Sequence, residues 1–177
     1  MKQLQLITPQ QLTDPPVWLR TICAKNGLKI PDDQLELIRN YVRLLLEWNQ
    51  KINLISRRDE ENVWQSHILH SIAPLFQVKI PENGRIVDLG TGGGLPGIPL
   101  KILNPTIQIT MIDSTQKKIT AVDEMTKALG LKDTIAVWGR AEELAKRKEF
   151  RGQFDIATAR GVGPLEELVR LAHPFLA

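Results

Sequence analysis

The stretch Asp88-Leu89-Gly90-Thr91-Gly92-Gly93-Gly94-Leu95-Pro96-Gly97 decides the fold. It follows the apolar run Arg85-Ile86-Val87-Asp88-Leu89, a strand pattern, and opens the helical run Ile98 to Leu103. Gly92, Gly94 and Gly97 fit G-x-G-x-x-G, and Gly90 adds a further glycine at the turn. Glycine tolerates positive φ and lets a ligand approach the backbone. A turn of this kind after the first strand is where doubly wound sheets bind nucleotide-like ligands. An acid about 20 residues downstream is expected to meet a ribose hydroxyl. Asp113, 21 positions after Gly92, fits that distance.

The nature of the ligand turns on Asp88. A pyrophosphate over the glycines would be repelled by a carboxylate two residues before Gly90, which argues against a nicotinamide dinucleotide. A phosphate-free ligand with a cationic end, such as the ammonium of S-adenosylmethionine, would be attracted. Asp88 can also cap the turn by accepting backbone N–H groups, and the two roles are compatible.

Outward from the turn, apolar runs alternate with helical segments. Ile107 to Ile112, Thr134 to Trp138 and Phe154 to Thr158 read as strands. Lys117 to Leu129, Ala141 to Lys148 and Pro164 to Ala172 read as helices. Such alternation predicts an α/β fold with a parallel sheet. Upstream of Pro81-Glu82-Asn83-Gly84 the periodicity is helical instead. Val17 to Lys25 lies between Pro15-Pro16 and Asn26-Gly27. Leu35, Ile38, Val42 and Leu45, flanked by Leu37, Tyr41, Leu44 and Trp48, form one broad apolar face. A third helix is predicted from Asp59 to about Ala73, stopped by Pro74. The expected organisation is a helical segment over residues 1–80 followed by a Rossmann-like domain over 81–177.

Composition is that of a globular protein: 177 residues, 42% hydrophobic and 24% charged. Cys23 is the single cysteine, which excludes an intrachain disulfide and Cys-rich zinc sites. No metal is expected. No run approaches the ~18 apolar residues of a membrane span, and no signal sequence is read at the N-terminus, so the expected location is cytoplasmic. The net charge of +3 permits a polyanion partner without demanding one.

These residues resemble the glucose-inhibited division protein B family, also called RsmG. The resemblance rests on Val87 to Leu100, on Trp48-Asn49 with Ile52-Asn53-Leu54, and on His67-Ile68-Leu69-His70-Ser71. It extends through Asp113-Ser114, Gly139-Arg140-Ala141-Glu142-Glu143 and Phe154-Asp155 with Arg160, from about residue 30 onward. It implies an S-adenosylmethionine-dependent methyltransferase acting on ring nitrogen 7 of a guanosine in small-subunit (16S) ribosomal RNA, free or in the ribosomal subunit. It implies that Gly90 and Leu95, in the turn with Asp88 and Gly92, line the methionine and ribose end of the cofactor. Asp113, with Ser114 and Thr115, would bond the ribose. Ala141 and Glu142 would flank the adenine, and Arg160 would face the methyl-transfer site. The family usually carries Asp where this chain has His70. The class I methyltransferase sheet has seven strands; four fall within residues 1–177, the fourth is expected to form an exposed edge, and the C-terminal strands are missing.

The residues agree with this chemistry by omission. Cys23 lies far in sequence from the turn, and no Asn/Asp-Pro-Pro-aromatic motif follows the fourth strand. Arg57-Arg58 read as a solvated loop because Asp59-Glu60-Glu61 follow, and Lys146-Arg147-Lys148 is diluted by nearby glutamates. His67 and His70 read as packing or hydrogen-bonding residues, and Trp18, Trp48 and Trp64 as core. Trp138 fits core and adenine pocket equally. The alternatives are a methyltransferase with another substrate and a non-catalytic cofactor-sensing module.

Overall fold

In the computed structural model, which describes residues 12–177, four strands build one sheet. They are β1 (Arg85–Leu89), β2 (Gln108–Asp113), β3 (Thr134–Trp138) and β4 (Ile156–Ala159). All pairings are parallel and the order is β3-β2-β1-β4. The chain moves outward from β1 to β3 and then crosses back to place β4 on the other side of β1. That reversal makes the β1–β4 crevice the topological switch point. The register aligns Leu89 with Ile112 and with Ala159, and Asp113 with Trp138. All four carboxyl ends therefore reach the same edge.

β1 and β2 are central, and nearly every residue in them is buried, as a parallel sheet covered on both faces requires. Alternation sorts their side chains into two cores. Ile86, Ile109 and Met111 face the larger one, while Val87, Leu89 and Ile112 face a smaller one with Leu144, Phe154 and Phe175.

The larger core also holds the N-terminal helices. Helix α1 (Val17–Lys25) contributes Leu19 and Cys23; α2 (Asp32–Asn49) contributes Ile38, Tyr41, Val42 and Leu45. These six are wholly buried beside Ile86 and Ile98. Residues on either side of the predicted boundary at 80 therefore share one apolar cluster. Full burial stabilises each large aliphatic side chain by about 1.5–3 kcal/mol.

The third predicted helix differs from expectation. It is a 3-10 turn (Arg57–Asn62), a π-helical turn (Trp64–Leu69), the three-residue α3 (His70–Ile72) and a second 3-10 turn (Ala73–Phe76). Pro74 sits at the start of that last turn and does not stop the segment. Ile68 and Ile72 are wholly buried, so tertiary packing holds a winding that local propensity disfavours.

The remaining helices are α4 (Gly97–Leu103), α5 (Gln116–Ala128), α6 (Ala141–Leu144) and α7 (Leu165–Ala172). The predicted helix over 141–148 ends at Leu144, and β4 begins at Ile156, two residues later than the pattern indicates. α7 buries none of its residues, and Leu165 and Val169 are exposed. Beside β4, Leu176 pairs in parallel with Phe154, so the lower end of that edge is partly covered. Of the tryptophans read as core, Trp64 is buried, Trp48 half-buried beneath Lys51, and Trp18 exposed, since α1 turns its other face inward.

Candidate active site

The glycine turn is organised by one buried carboxylate. Asp88 Oδ2 accepts from the Thr91 hydroxyl (2.6 Å) and the Gly97 backbone N–H (3.0 Å), and Oδ1 accepts from the Thr158 hydroxyl (3.0 Å). It thus ties β1 to the turn, to α4 and to β4. Burial pushes its carboxyl up to about 6, against the opposing pull of these hydrogen bonds and the Arg160 charge. Asp88 has no exposed surface, so its charge faces the turn and not the cavity.

Two glycines are required by space. Gly97 lies so close to the strands that a Cβ would stand 2.9 Å from both Asp88 Oδ2 and Met111 Sδ. Gly90 has φ +68°, and a Cβ there would meet Val162 Cγ2 at 2.5 Å. From the other side, the buried Tyr41 hydroxyl donates to the Gly93 carbonyl (2.8 Å), tying α2 to the turn. Burial raises that phenol well above its ordinary value, so it remains a neutral donor.

Asp113 ends β2 and closes the turn from the adjacent strand. Its Oδ2 accepts from Gly92 N–H (3.0 Å) and its Oδ1 from Thr115 N–H (2.8 Å). Each oxygen retains a further acceptor site. The Trp138 indole N–H donates to the Ser114 carbonyl (3.0 Å), holding the next residue; the ring itself is mostly exposed.

A cavity of about 310 Å³ opens over the carboxyl ends of the strands. Its walls include Gly90, Asp113, Ser114, Thr115, Ala141 and Glu142. Six of the residues expected at a cofactor site therefore meet in one place. Asp88, Gly92, Leu95 and Arg160 are not in its lining. Leu95 is buried in the larger core, and Gly92 contributes its N–H to Asp113. The site fits a nucleoside-bearing cofactor on two counts. A side chain at Gly90 would crowd the floor, and Asp113 offers oriented acceptor oxygens suited to vicinal hydroxyls.

Arg160 follows β4 and points toward the N-terminal segment. Its guanidinium donates to the Ser66 carbonyl (3.0 Å) and to His67 Nδ1 (2.7 Å). That contact makes Nδ1 the acceptor and leaves the proton on Nε2, which faces Asp59 at 3.4 Å without hydrogen-bond alignment. Burial, then the Arg160 charge, lower the His67 pKa, and Asp59 opposes them. Burial also lowers that of Arg160. Sequence reading missed this chain of contacts, because residues 93 positions apart meet only through the fold. The His67-x-x-His70 spacing was its sole trace; His70 is exposed.

A second feature escaped the sequence. Asn49 Oδ1 accepts from Leu54 N–H (2.8 Å) and Ile55 N–H (3.0 Å), and its amide donates to Glu60 (2.6 Å). The loop after α2 is thereby clamped against the glycine turn, where a Cβ on Gly93 would lie 3.2 Å from Leu54 Cβ. Asp155 accepts from the Arg85 N–H (2.7 Å) where β1 begins. Among the described residues no group of three or more His, Cys, Asp or Glu is placed to hold a metal. No described helix is long and apolar enough to cross a membrane.

The strand order, the glycine turn and the acid closing β2 define a Rossmann-like fold. A solved structure, a SAM-dependent methyltransferase from Aquifex aeolicus, matches with a TM-score of 0.52 at 14% identity, over 68% of this chain and 64% of that one. The family model described as rRNA small subunit methyltransferase G matches residues 34–177, and the chain belongs to that family. The curated relative of that name from Alkaliphilus metalliredigens is 39% identical over 89% of this chain and 66% of its own length. Its counterpart from Streptococcus equi subsp. zooepidemicus is 42% identical over 85% of this chain and 64% of its own length. The chain thus spans slightly less than two thirds of these relatives.

Proposed function

We propose that this protein is a methyltransferase that uses S-adenosylmethionine to methylate ring nitrogen 7 of a guanosine in small-subunit ribosomal RNA, in the cytoplasm. The observation that carries the reading is the cavity over Gly90 and Asp113, in a chain whose family is named for that RNA. Asp113, Ser114 and Thr115 would hold the ribose end of the cofactor. Ala141 and Glu142 would border its base, and Gly90 would leave room for the chain between them.

When bound, the cofactor supplies an electrophilic methyl group. Guanine nitrogen 7 has a free lone pair and no proton to lose, so the protein needs no general base. Alignment and exclusion of water remain, worth up to roughly 7–11 kcal/mol of barrier in favourable cases. Arg160, beyond the carboxyl end of β4 and next to the switch point, is the proposed substrate-side residue. A planar guanidinium suits phosphate or the face of a base. It is already oriented by Ser66 and His67.

Calorimetry with S-adenosylmethionine, followed by nucleoside mass spectrometry of small-subunit ribosomal RNA incubated with protein and cofactor, tests the proposal. One new 7-methylguanosine per RNA is the expected result. Cofactor binding with no methylated product from any RNA would instead favour a sensing module.

A further inference from the structure

The sequence of the loop after α2 predicts a solvated, mixed-charge segment, because three acids follow two arginines. The structure separates those charges. Glu60 turns inward to Asn49 and Gln50, and Asp59 faces His67. Both acids are half-buried, whereas Arg57 and Arg58 are exposed. Among the described residues, neither arginine side chain has a hydrogen bond or ion pair. The loop is also held rigidly. Asn49 fixes Leu54 and Ile55 from within, and the Ser56 hydroxyl accepts from Arg58 N–H (3.3 Å). Leu54 is buried against the glycine turn, with its carbonyl 3.8 Å from where a Gly92 Cβ would stand. A shallow cavity of about 490 Å³ runs along Asn53 to Arg57 at this rim.

We propose that the Asn49-clamped loop is an RNA-docking platform on which Arg57 and Arg58 grip backbone phosphates beside the glycine turn. This rests on the methyltransferase reading above. The arginines sit on preformed backbone, so docking orders little chain. Two of the three nearby acids are turned to partners of their own, Glu60 to Asn49 and Gln50 and Asp59 to His67, while Glu61 is exposed like the arginines. The same helical segment continues to Ser66 and His67, which hold Arg160. One short stretch of chain thus joins the arginines to the residues that hold the proposed substrate-side residue.

The test is fluorescence anisotropy of the chain with a labelled RNA hairpin carrying guanosine in its loop, over a salt series. The variants are Arg57→Gln/Arg58→Gln and, as a control, Lys146→Gln/Arg147→Gln in the basic cluster after α6. The loop variant should bind RNA about tenfold more weakly and lower the log–log salt slope by about 1 to 2, since each lost phosphate contact removes roughly 0.7. Cofactor affinity and melting temperature should be unchanged. The control pair should leave RNA affinity within about twofold of wild type. Equal affinity of the loop variant and wild type overturns the platform alone. Equal losses in both pairs reduce the effect to net charge and overturn it too. A wild-type chain that binds no RNA at any salt overturns the RNA reading itself.

Discussion

The glycine turn over residues 90–97 and the helical segment over 57–76 meet at the same site but are specified in different ways. In the turn, the residues that need each other are close in sequence. Asp88 bonds Thr91 and Gly97, and Gly97 must lack a side chain because Asp88 and Met111 are in the way. In the helical segment the partners are distant. Trp64 donates to the Leu12 carbonyl, and Ser66 and His67 take Arg160. The turn thus has a motif, while the segment has only a burial pattern and an irregular winding. A locally closed network is readable from one sequence; one closed across the fold is not.

The sharpest way to break the comparison is to remove the carboxylate under the turn. Asp88→Ala leaves two buried donors, the Thr91 hydroxyl and the Gly97 N–H, without an acceptor, at about 1–3 kcal/mol for each unsatisfied group, and takes from Thr158 the shorter of its two bonds. We expect a total near 3 kcal/mol or more after relaxation, seen as a large drop in denaturant midpoint with loss of cofactor binding. Next is Gly97→Ala, where the new methyl meets Asp88 and Met111. Overpacking of this kind costs about 1–3 kcal/mol, measurable by the same unfolding curves.

In the helical segment, Arg160→Met and His67→Leu should each destabilise by about 1.5–3 kcal/mol, the cost of a lost hydrogen bond to a charged group. Arg160→Met should nevertheless abolish methyl transfer while retaining cofactor affinity. His67→Asn, which keeps an acceptor at the Nδ1 position, should recover most of what His67→Leu loses. Steady-state rates and melting curves check these expectations together.

The two regions also oppose each other in pH. Asp88 has its folded pKa raised from 3.8 to about 6. Its contribution to stability is fully present below about pH 4 and is lost as pH rises to about 6. His67 has its folded pKa lowered below 6.5. Its contribution is present above pH 6.5 and is lost as pH falls through the folded value. Chemical denaturation across pH 4–7.5 should show both slopes. Asp88→Asn should remove the loss between pH 4 and 6, and His67→Asn should remove the loss on acidification. The smallest effect is expected at Trp138→Ala. One indole donor to a carbonyl at an exposed edge is worth about 0.5–1.5 kcal/mol at most.

Legibility followed the same division. The apolar runs placed β1 and β3 to the residue and the other two strands within two positions, because short runs rich in Val and Ile between turn residues mark strands whether wholly buried, as in β1, or half-exposed, as in β3. Asp113 followed from its spacing after the glycines, and Gly90, Ser114, Thr115, Ala141 and Glu142 from the family resemblance; the parallel register brings all six to one edge, where they line one cavity. The conformation of residues 57–76 could not, since a π-helical turn is held by packing against other elements. Nor could the inward turn of Asp59 and Glu60, since a run of mixed charge does not say which members have partners.

By itself, the sequence determined the α/β class, the glycine turn, the acid that closes it and the residues that gather at the strand ends. Each depends on apolar runs at strand spacing and on glycines and acids placed at fixed offsets along the chain. Only the tertiary structure decided that Asp88 is sealed beneath the turn, that Arg160 is held by Ser66 and His67, and that Arg57 and Arg58 have no side-chain partner among the described residues. Those outcomes depend on which groups are desolvated and which find partners, and both are properties of the packed chain.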